Sequence, residues 1–232
     1  MSISPRAFDD HPPFRYADYK STVKRSPNFA PIHIAQTLSE TTGPGPSWSA
    51  GAPDDANLTT NAGTGGEAIG PRSIITGRVL DEGGVPIPNT LIEIWQANAG
   101  GRYLHSRETA FPAPLDSNFT GVGQCRTNEA GEYRFVTIKP GPYPWGNHPN
   151  AWRPAHIHFS LFGPAFATRL ITQMYFPNDP VLAYDPIYNS VPEGARQRLQ
   201  AAFDMEGTQP EWALAYKFDI VLRGRNATPL ES

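Results

Sequence analysis

Trp152-Arg153-Pro154-Ala155-His156-Ile157-His158-Phe159 alternates apolar and polar side chains from Ala155 onward. A period of two belongs to a β-strand, on which successive side chains point to opposite faces. On such a strand His156 and His158 project together, while Ile157 and Phe159 turn the other way, toward a core. The stretch reads as a strand of an antiparallel sheet with two imidazoles converging on one face. Convergent imidazoles are a metal-binding pattern, since His is the commonest metal ligand. Two hydrogen-bonded histidines on a wet sheet face would give the same pattern.

Working outward, similar runs recur at short intervals. Ile74, Ile75, Val79 and Leu80 form a strand pattern closed by the turn Asp81-Glu82-Gly83-Gly84. Thr90 to Gln96 puts Leu91, Glu93 and Trp95 on one face and Ile92 and Ile94 on the other. Tyr133 to Ile138, Ala155 to Phe162, Leu170 to Phe176 and Ala213 to Leu222 complete the set. Many short strands with Gly and Pro punctuation indicate an all-β fold, an antiparallel β-sandwich. One helix is expected, Glu193 to Phe203, started by Pro192. Residues 1–70 show little periodicity, and Thr41 to Gly70 is rich in Gly, Pro, Ser, Thr, Asn and Asp, a loop composition. Ile32 to Leu38 could form a strand or a single helical turn. The expected organisation is an irregular N-terminal arm over 1–70, lying on the core or on a partner chain, and a sandwich domain over 71–232.

Composition narrows the class. With 232 residues, 39% hydrophobic, the chain suffices for one large domain, and 25 Pro and 21 Gly imply much loop. A net charge of −3 gives no electrostatic footprint for nucleic acid or an anionic membrane. No apolar run is long enough to span a bilayer, and the N-terminus lacks the plan of a signal peptide. The single cysteine, Cys125, cannot form an internal disulfide, which suits a cytoplasmic location.

Two tyrosines bear on the choice of metal. Tyr143 lies in Pro140-Gly141-Pro142-Tyr143-Pro144-Trp145, whose prolines restrict the backbone and fix where the ring points. Tyr103 follows Gly100-Gly101-Arg102 after the Trp95 strand. Either ring could instead be an amphipathic aromatic at the edge of the core. Ionising a phenol at neutral pH costs roughly three pKa units, or about 4 kcal/mol, so a phenolate ligand needs a strongly Lewis-acidic cation. A set of two His and two Tyr therefore favours Fe(III), unlike the two-His, one-carboxylate set of ferrous oxygenases.

Trp95-Gln96-Ala97-Asn98-Ala99-Gly100-Gly101-Arg102-Tyr103, Pro140 to Trp145 and Trp152 to Phe159, taken together, resemble the intradiol ring-cleavage dioxygenases. The resemblance extends to the arm (Asp18-Tyr19-Lys20, Arg25-Ser26-Pro27, Leu38-Ser39-Glu40-Thr41-Thr42) and to the tail from Tyr216 to Gly224. It covers nearly the whole chain and is strongest to the iron-bearing β chains of the two-chain branch of the family. Members acting on catechol itself carry an α-helical N-terminal segment, where this chain has a loop-like arm.

The resemblance implies one non-haem Fe(III) per chain, with Tyr103 and His156 as equatorial ligands and Tyr143 and His158 as axial ones. It implies that Arg153 stabilises charge on the substrate and that Gln173 is a polar group on the oxygen-binding side. Trp145 and Ile187 would wall the substrate ring, Tyr19 would lie near a substrate carboxylate, and Trp95 would stand behind the site. The implied reaction cuts a catecholic carboxylate, 3,4-dihydroxybenzoate, with O2 between its hydroxyl-bearing carbons. The product would be 3-carboxy-cis,cis-muconate, in the β-ketoadipate route of aromatic degradation. The implied partner is a homologous α chain in an αβ hetero-oligomer. Alternatives are another catechol, such as hydroxyquinol, or a non-catalytic β-sandwich scaffold chain.

Overall fold

Strand β1 (Arg72–Leu80) organises half of the molecule, because both of its edges are used. One edge takes β4 (Glu132–Ile138) antiparallel along its length. The other takes β10 (Ala213–Lys217) and then β11 (Ile220–Val221), both parallel. The run expected as one strand over 213–222 is thus interrupted at Phe218 and Asp219. There the Phe218 carbonyl accepts a hydrogen bond from Tyr133 Oη at 2.5 Å. The parallel pairings depart from a wholly antiparallel sandwich, and the remaining pairs in both sheets are antiparallel. A computed structural model underlies this description, which covers residues 10–29, 32, 34, 37–38, 55–106, 112–162 and 169–231.

The second sheet runs β3 (Val122–Arg126), β2 (Leu91–Trp95), β7 (His156–Phe162), β8 (Arg169–Tyr175). Period-two alternation sends Ile92, Ile94, Cys125, Ile157, Phe159, Leu161 and Met174 inward. There they meet Ile75, Val79, Tyr133, Phe135 and Phe218 from the first sheet in one buried cluster. At about 25 cal/mol per Å2 of apolar surface removed from water, this cluster is the main stabilising term of the fold. Leu58 is fully buried in the same cluster, and Asp55 and Asn57 bridge Gln124 and Val136, so residues 55–58 are stitched to the sandwich.

The opposite parity of the second sheet faces away from this core. Trp95, His156, His158, Gln173 and Tyr175 all stand on that outer face, with Trp95 opposite His158, His158 opposite Gln173, and His156 opposite Tyr175. Short helices α2 (Pro186–Ser190) and α3 (Glu193–Arg196) cover part of it. Tyr175, Leu182, Tyr188, Val191, Ala195 and Leu199 form a separate small core beneath them. The helix expected over 193–203 is only α3, continued by a 3-10 turn over Gln197–Leu199. Tertiary pairing stops it: Ala201 N donates to Tyr175 O at 2.9 Å and Gln200 bridges Tyr175, which draws the chain into the edge strand β9 (Ala202–Gln209).

From the arm, Lys20–Arg25 forms one short helix, α1. Of the expected element at 32–38 only residues 32, 34, 37 and 38 are described, and residues 41–54 of the Thr41–Gly70 tract lie outside the described residues. Among the described residues no helix is long and apolar enough to cross a membrane.

Candidate metal centre

His156 and His158 place their rings 4.9 Å apart on the outer face of β7, as the period of two requires. Each ring is locked through Nδ1. His156 Nδ1 lies 2.7 Å from the carbonyl of Pro154, and His158 Nδ1 lies 3.0 Å from a carboxylate oxygen of Glu231. A carbonyl or an ionised carboxylate can only accept, so both Nδ1 atoms donate, and in a neutral imidazole so anchored Nε2 is the nitrogen that carries the lone pair. Trp95 stacks on His158 at 4.7 Å with an interplanar angle of 5°, which fixes its tilt.

Two loops bring the phenols to the same point. In the first, Asn98 turns its side chain back on the chain. Its Oδ1 accepts from the backbone N–H of Gly100 and of Arg102, and its Nδ2 donates to Pro114 O. This frame delivers Tyr103. In the second, β5 (Tyr143–Pro144) pairs with β6 (Trp152–Arg153), so that Tyr143 stands opposite Arg153. The loops touch through two glycines. Gly101 has φ of +82°, and a Cβ there would sit 2.3 Å from Pro142 O; a Cβ on Gly141 would sit 2.3 Å from Ala99 O. Only glycine permits this approach.

The four donor atoms are correspondingly close. Tyr103 Oη lies 3.4 Å from His156 Nε2 and 3.2 Å from His158 Nε2, and Tyr143 Oη lies 3.5 Å from His156 Nε2. Donors sharing one ion at about 2.0–2.1 Å stand roughly 2.9 Å apart at a right angle and about 3.5 Å apart at 120°. The spacing fits a single cation. Burial, then the neighbouring Tyr143, pushes Tyr103 well above the ordinary phenol range. Burial raises Tyr143 as well, with Arg153 pulling the other way. Burial, then Arg153 and His158, holds His156 well below the ordinary imidazole range, so it is neutral and able to coordinate. Buried phenols so raised ionise only beside a strong cation, and the donor set fits Fe(III) for that reason.

Arg153 is buried, and both of its terminal guanidinium nitrogens are engaged while its Nε has no hydrogen-bond partner among the described residues. One guanidinium nitrogen reaches Gln173 Oε1 (2.6 Å), Tyr175 Oη (3.0 Å) and Asp185 Oδ2 (3.0 Å); another lies 3.2 Å from His156 Nε2. Burial opposes its charge, but Asp185, Tyr175 and Tyr143 outweigh burial and keep it protonated. Asp185 also caps α2, accepting from Ile187 N at 3.1 Å, so Ile187 sits in a turn directly tied to the arginine. Tyr19 meets Trp145 edge-on at 5.4 Å, and Asn147 pins the arm beside it through Asp18 O and Lys20 N. All the residues expected at the site therefore lie in one connected neighbourhood.

Three neighbours were not expected from the sequence: Tyr175, Asp185 and Glu231. Tyr175 shares the parity of Gln173 on β8, and Asp185-Pro186 is an N-cap signature, so both left a local signal. Glu231 left none. Burial works to raise its carboxyl, yet the hydrogen bond and charge interaction with His158, together with Arg153 and Gln173, outweigh this and hold it below the ordinary carboxylate range.

Comparison with known proteins gives this geometry a family. A model described as "Dioxygenase" matches residues 44–224, and one described as "Protocatechuate 3,4-dioxygenase beta subunit N terminal" matches residues 4–37. The protocatechuate 3,4-dioxygenase beta chain of Burkholderia cepacia is 55% identical over 99% of this chain and 97% of its own length. The chain belongs to the protocatechuate 3,4-dioxygenase beta-chain family of intradiol ring-cleavage dioxygenases. This dioxygenase is also 29% identical to the protocatechuate 3,4-dioxygenase alpha chain of the same organism, over 69% of this chain and 77% of that one. The crystal structure of 3-chlorocatechol 1,2-dioxygenase from Rhodococcus opacus superposes with a TM-score of 0.55 at 26% identity. That match covers 74% of this dioxygenase and 67% of the other chain.

Proposed function

We propose that this chain is the iron-bearing subunit of an enzyme that opens 3,4-dihydroxybenzoate with O2, giving 3-carboxy-cis,cis-muconate. Both oxygen atoms enter the product, so no external reductant is needed. The observation that carries the reading is the convergence of Tyr103, Tyr143, His156 and His158 at 3.2–3.5 Å with both Nδ1 atoms anchored. These four side chains would hold one Fe(III), which when bound supplies the Lewis acidity that lets a catechol bind as its dianion. The cytoplasm is its proposed location.

The chain's own residues do the remaining work. A catechol must give up two protons, and Tyr143 Oη, once ionised, is placed to take one of them. Arg153 keeps a full positive charge in a buried setting, suited to stabilising a ring that becomes electron-rich under oxygen attack. Gln173 and Asp185 hold its planar fork in place. Trp145 and Ile187 would flank the ring and exclude water, and Tyr19, which packs on Trp145, and Lys20 beside it would face a carboxylate on the ring. A groove of about 600 Å3 on that side is lined by Lys20 and Arg196 together with Asp18, Tyr16, His148 and Tyr184.

The test is metal content, colour and oxygen uptake on a panel of 3,4-dihydroxybenzoate, catechol and hydroxyquinol. The expected protein is reddish-brown from tyrosinate-to-iron charge transfer and prefers the carboxylated ring. His156→Ala and His158→Ala are expected to lose the metal, since a methyl group cannot coordinate. Unchanged iron in both variants, or a colourless protein that consumes no oxygen, would overturn the reading, and preference for hydroxyquinol would reassign the substrate.

A further inference from the structure

We propose that Glu231 is a positioning residue that aims His158 at the metal, and that the N-terminal arm clamps the tail segment bearing it. This rests on the proposed metal site. The two imidazoles are anchored by different means. His156 takes its anchor from Pro154 O, two residues away, so the strand itself supplies it. His158 takes its anchor from a side chain 73 residues further along the chain. Among the described residues no other hydrogen bond fixes the Nδ1 side of that ring, and the acceptor at Nδ1 leaves Nε2 facing Tyr103 Oη.

The segment carrying Glu231 is held from two directions. On the sandwich side, Glu231 N donates to Ile171 O at 2.9 Å and Thr172 Oγ1 donates to Pro229 O at 2.7 Å. On the arm side, Leu230 N donates to the buried His11 Nδ1 at 3.1 Å, although the two lie 219 residues apart. Next to it, Arg198 donates through Nε to Ala227 O at 2.9 Å and pairs with Asp10 at 3.0 Å. Arm and tail thus close along the edge of β8, the last strand of its sheet, and the carboxylate reaches the imidazole from that closure. The same arm carries Tyr19 to the substrate side, so one segment links substrate contact to ligand orientation.

The experiment uses the full chain, purified as the wild type is, with Glu231→Ala, Glu231→Gln and His11→Ala. The readouts are the rate of iron loss to a chelator and the position of the visible charge-transfer band. Glu231→Ala is expected to lose iron roughly 10–100-fold faster, with the band moved, because the orienting acceptor is gone. Glu231→Gln retains an amide oxygen that accepts from Nδ1 and is expected to stay near the wild-type rate. His11→Ala is expected to move the band in the same direction and less far. Iron loss in Glu231→Ala at the wild-type rate with an unmoved band would overturn the proposal. Equal loss in the Ala and Gln variants would also overturn it, reducing Glu231 to a tail anchor, and an unmoved band in His11→Ala would overturn the arm's part. A wild type that holds no iron would instead sink the functional reading, so the two failures are distinguishable.

Discussion

At the scale of single residues, the centre depends on donors that have been given no choice of tautomer or charge. Arg153 shows how far this goes, with three oxygen acceptors, from Gln173, Tyr175 and Asp185, on one guanidinium nitrogen and His156 Nε2 3.2 Å from another. Lysine would keep the charge but cannot span them from a single ammonium. Arg153→Lys is therefore expected to retain iron and colour while the barrier to turnover rises by about 2–4 kcal/mol. A steady-state rate near wild type would remove Arg153 from the reaction. Removing its buried counter-charge acts on folding instead: Asp185→Ala is expected to destabilise the protein by roughly 3–5 kcal/mol, read from its urea midpoint. The donors themselves were legible in the sequence, because His156 and His158 obey a strand period and the prolines around Tyr143 announce a rigid loop. Asp185 was legible only as a helix cap and not as the partner of Arg153, and Glu231 not at all, since neither periodicity nor motif links residue 231 to residue 158. That link exists only once the tail has been laid along β8.

At the scale of elements, the two tyrosine-bearing loops behave as one unit, because each presses a glycine against the other's backbone. Gly101→Ala would put a Cβ 2.3 Å from Pro142 O at a φ of +82°. Residues held there cost about 1–3 kcal/mol, and here the clash adds to it. The expected outcome is a lower denaturation midpoint together with a weakened charge-transfer band, because the loops separate and Tyr103 parts from Tyr143. A variant with wild-type midpoint and wild-type band would show that the contact is dispensable. The core strands were readable because each buries alternate residues, as Ile92, Ile94, Ile157 and Phe159 do. The segment after Pro192 was misread as a longer helix for the converse reason. Its local pattern suits a helix, but Ala201 and Gln200 bond to Tyr175, and tertiary pairing overrides a weak propensity. The edge strand β9, largely exposed, carries no alternation to read.

At the scale of the whole molecule, the arm raises a question the isolated chain does not answer. Its middle docks firmly: Asn147 grips both sides of Tyr19, and Tyr19 packs on Trp145. Further along, Phe29, Ile32, Ile34 and Leu38 are 77–89% exposed, a run of large apolar side chains that this chain's own core does not take up. Soluble proteins rarely leave such a cluster in water, and ordering an irregular arm costs about 1–2 kcal/mol per residue fixed. Another surface has to offset that cost. The relatives include both an alpha and a beta chain of protocatechuate 3,4-dioxygenase, and on that ground we infer that the surface is a homologous subunit. We therefore expect this chain to form an αβ hetero-oligomer, with the partner covering the 29–38 segment and completing the carboxylate side of the pocket next to Tyr19. Expressed alone, it should aggregate or form ill-defined oligomers and cleave 3,4-dihydroxybenzoate poorly. Co-expressed with its homologue, it should elute as a defined assembly with full activity. Replacing Ile32 and Ile34 by Ser should weaken that assembly while leaving the iron spectrum of the remaining complex in place. Size-exclusion chromatography with light scattering, alongside oxygen uptake, decides the matter: a stable monomer that is fully active and selective by itself would show that the arm needs no partner.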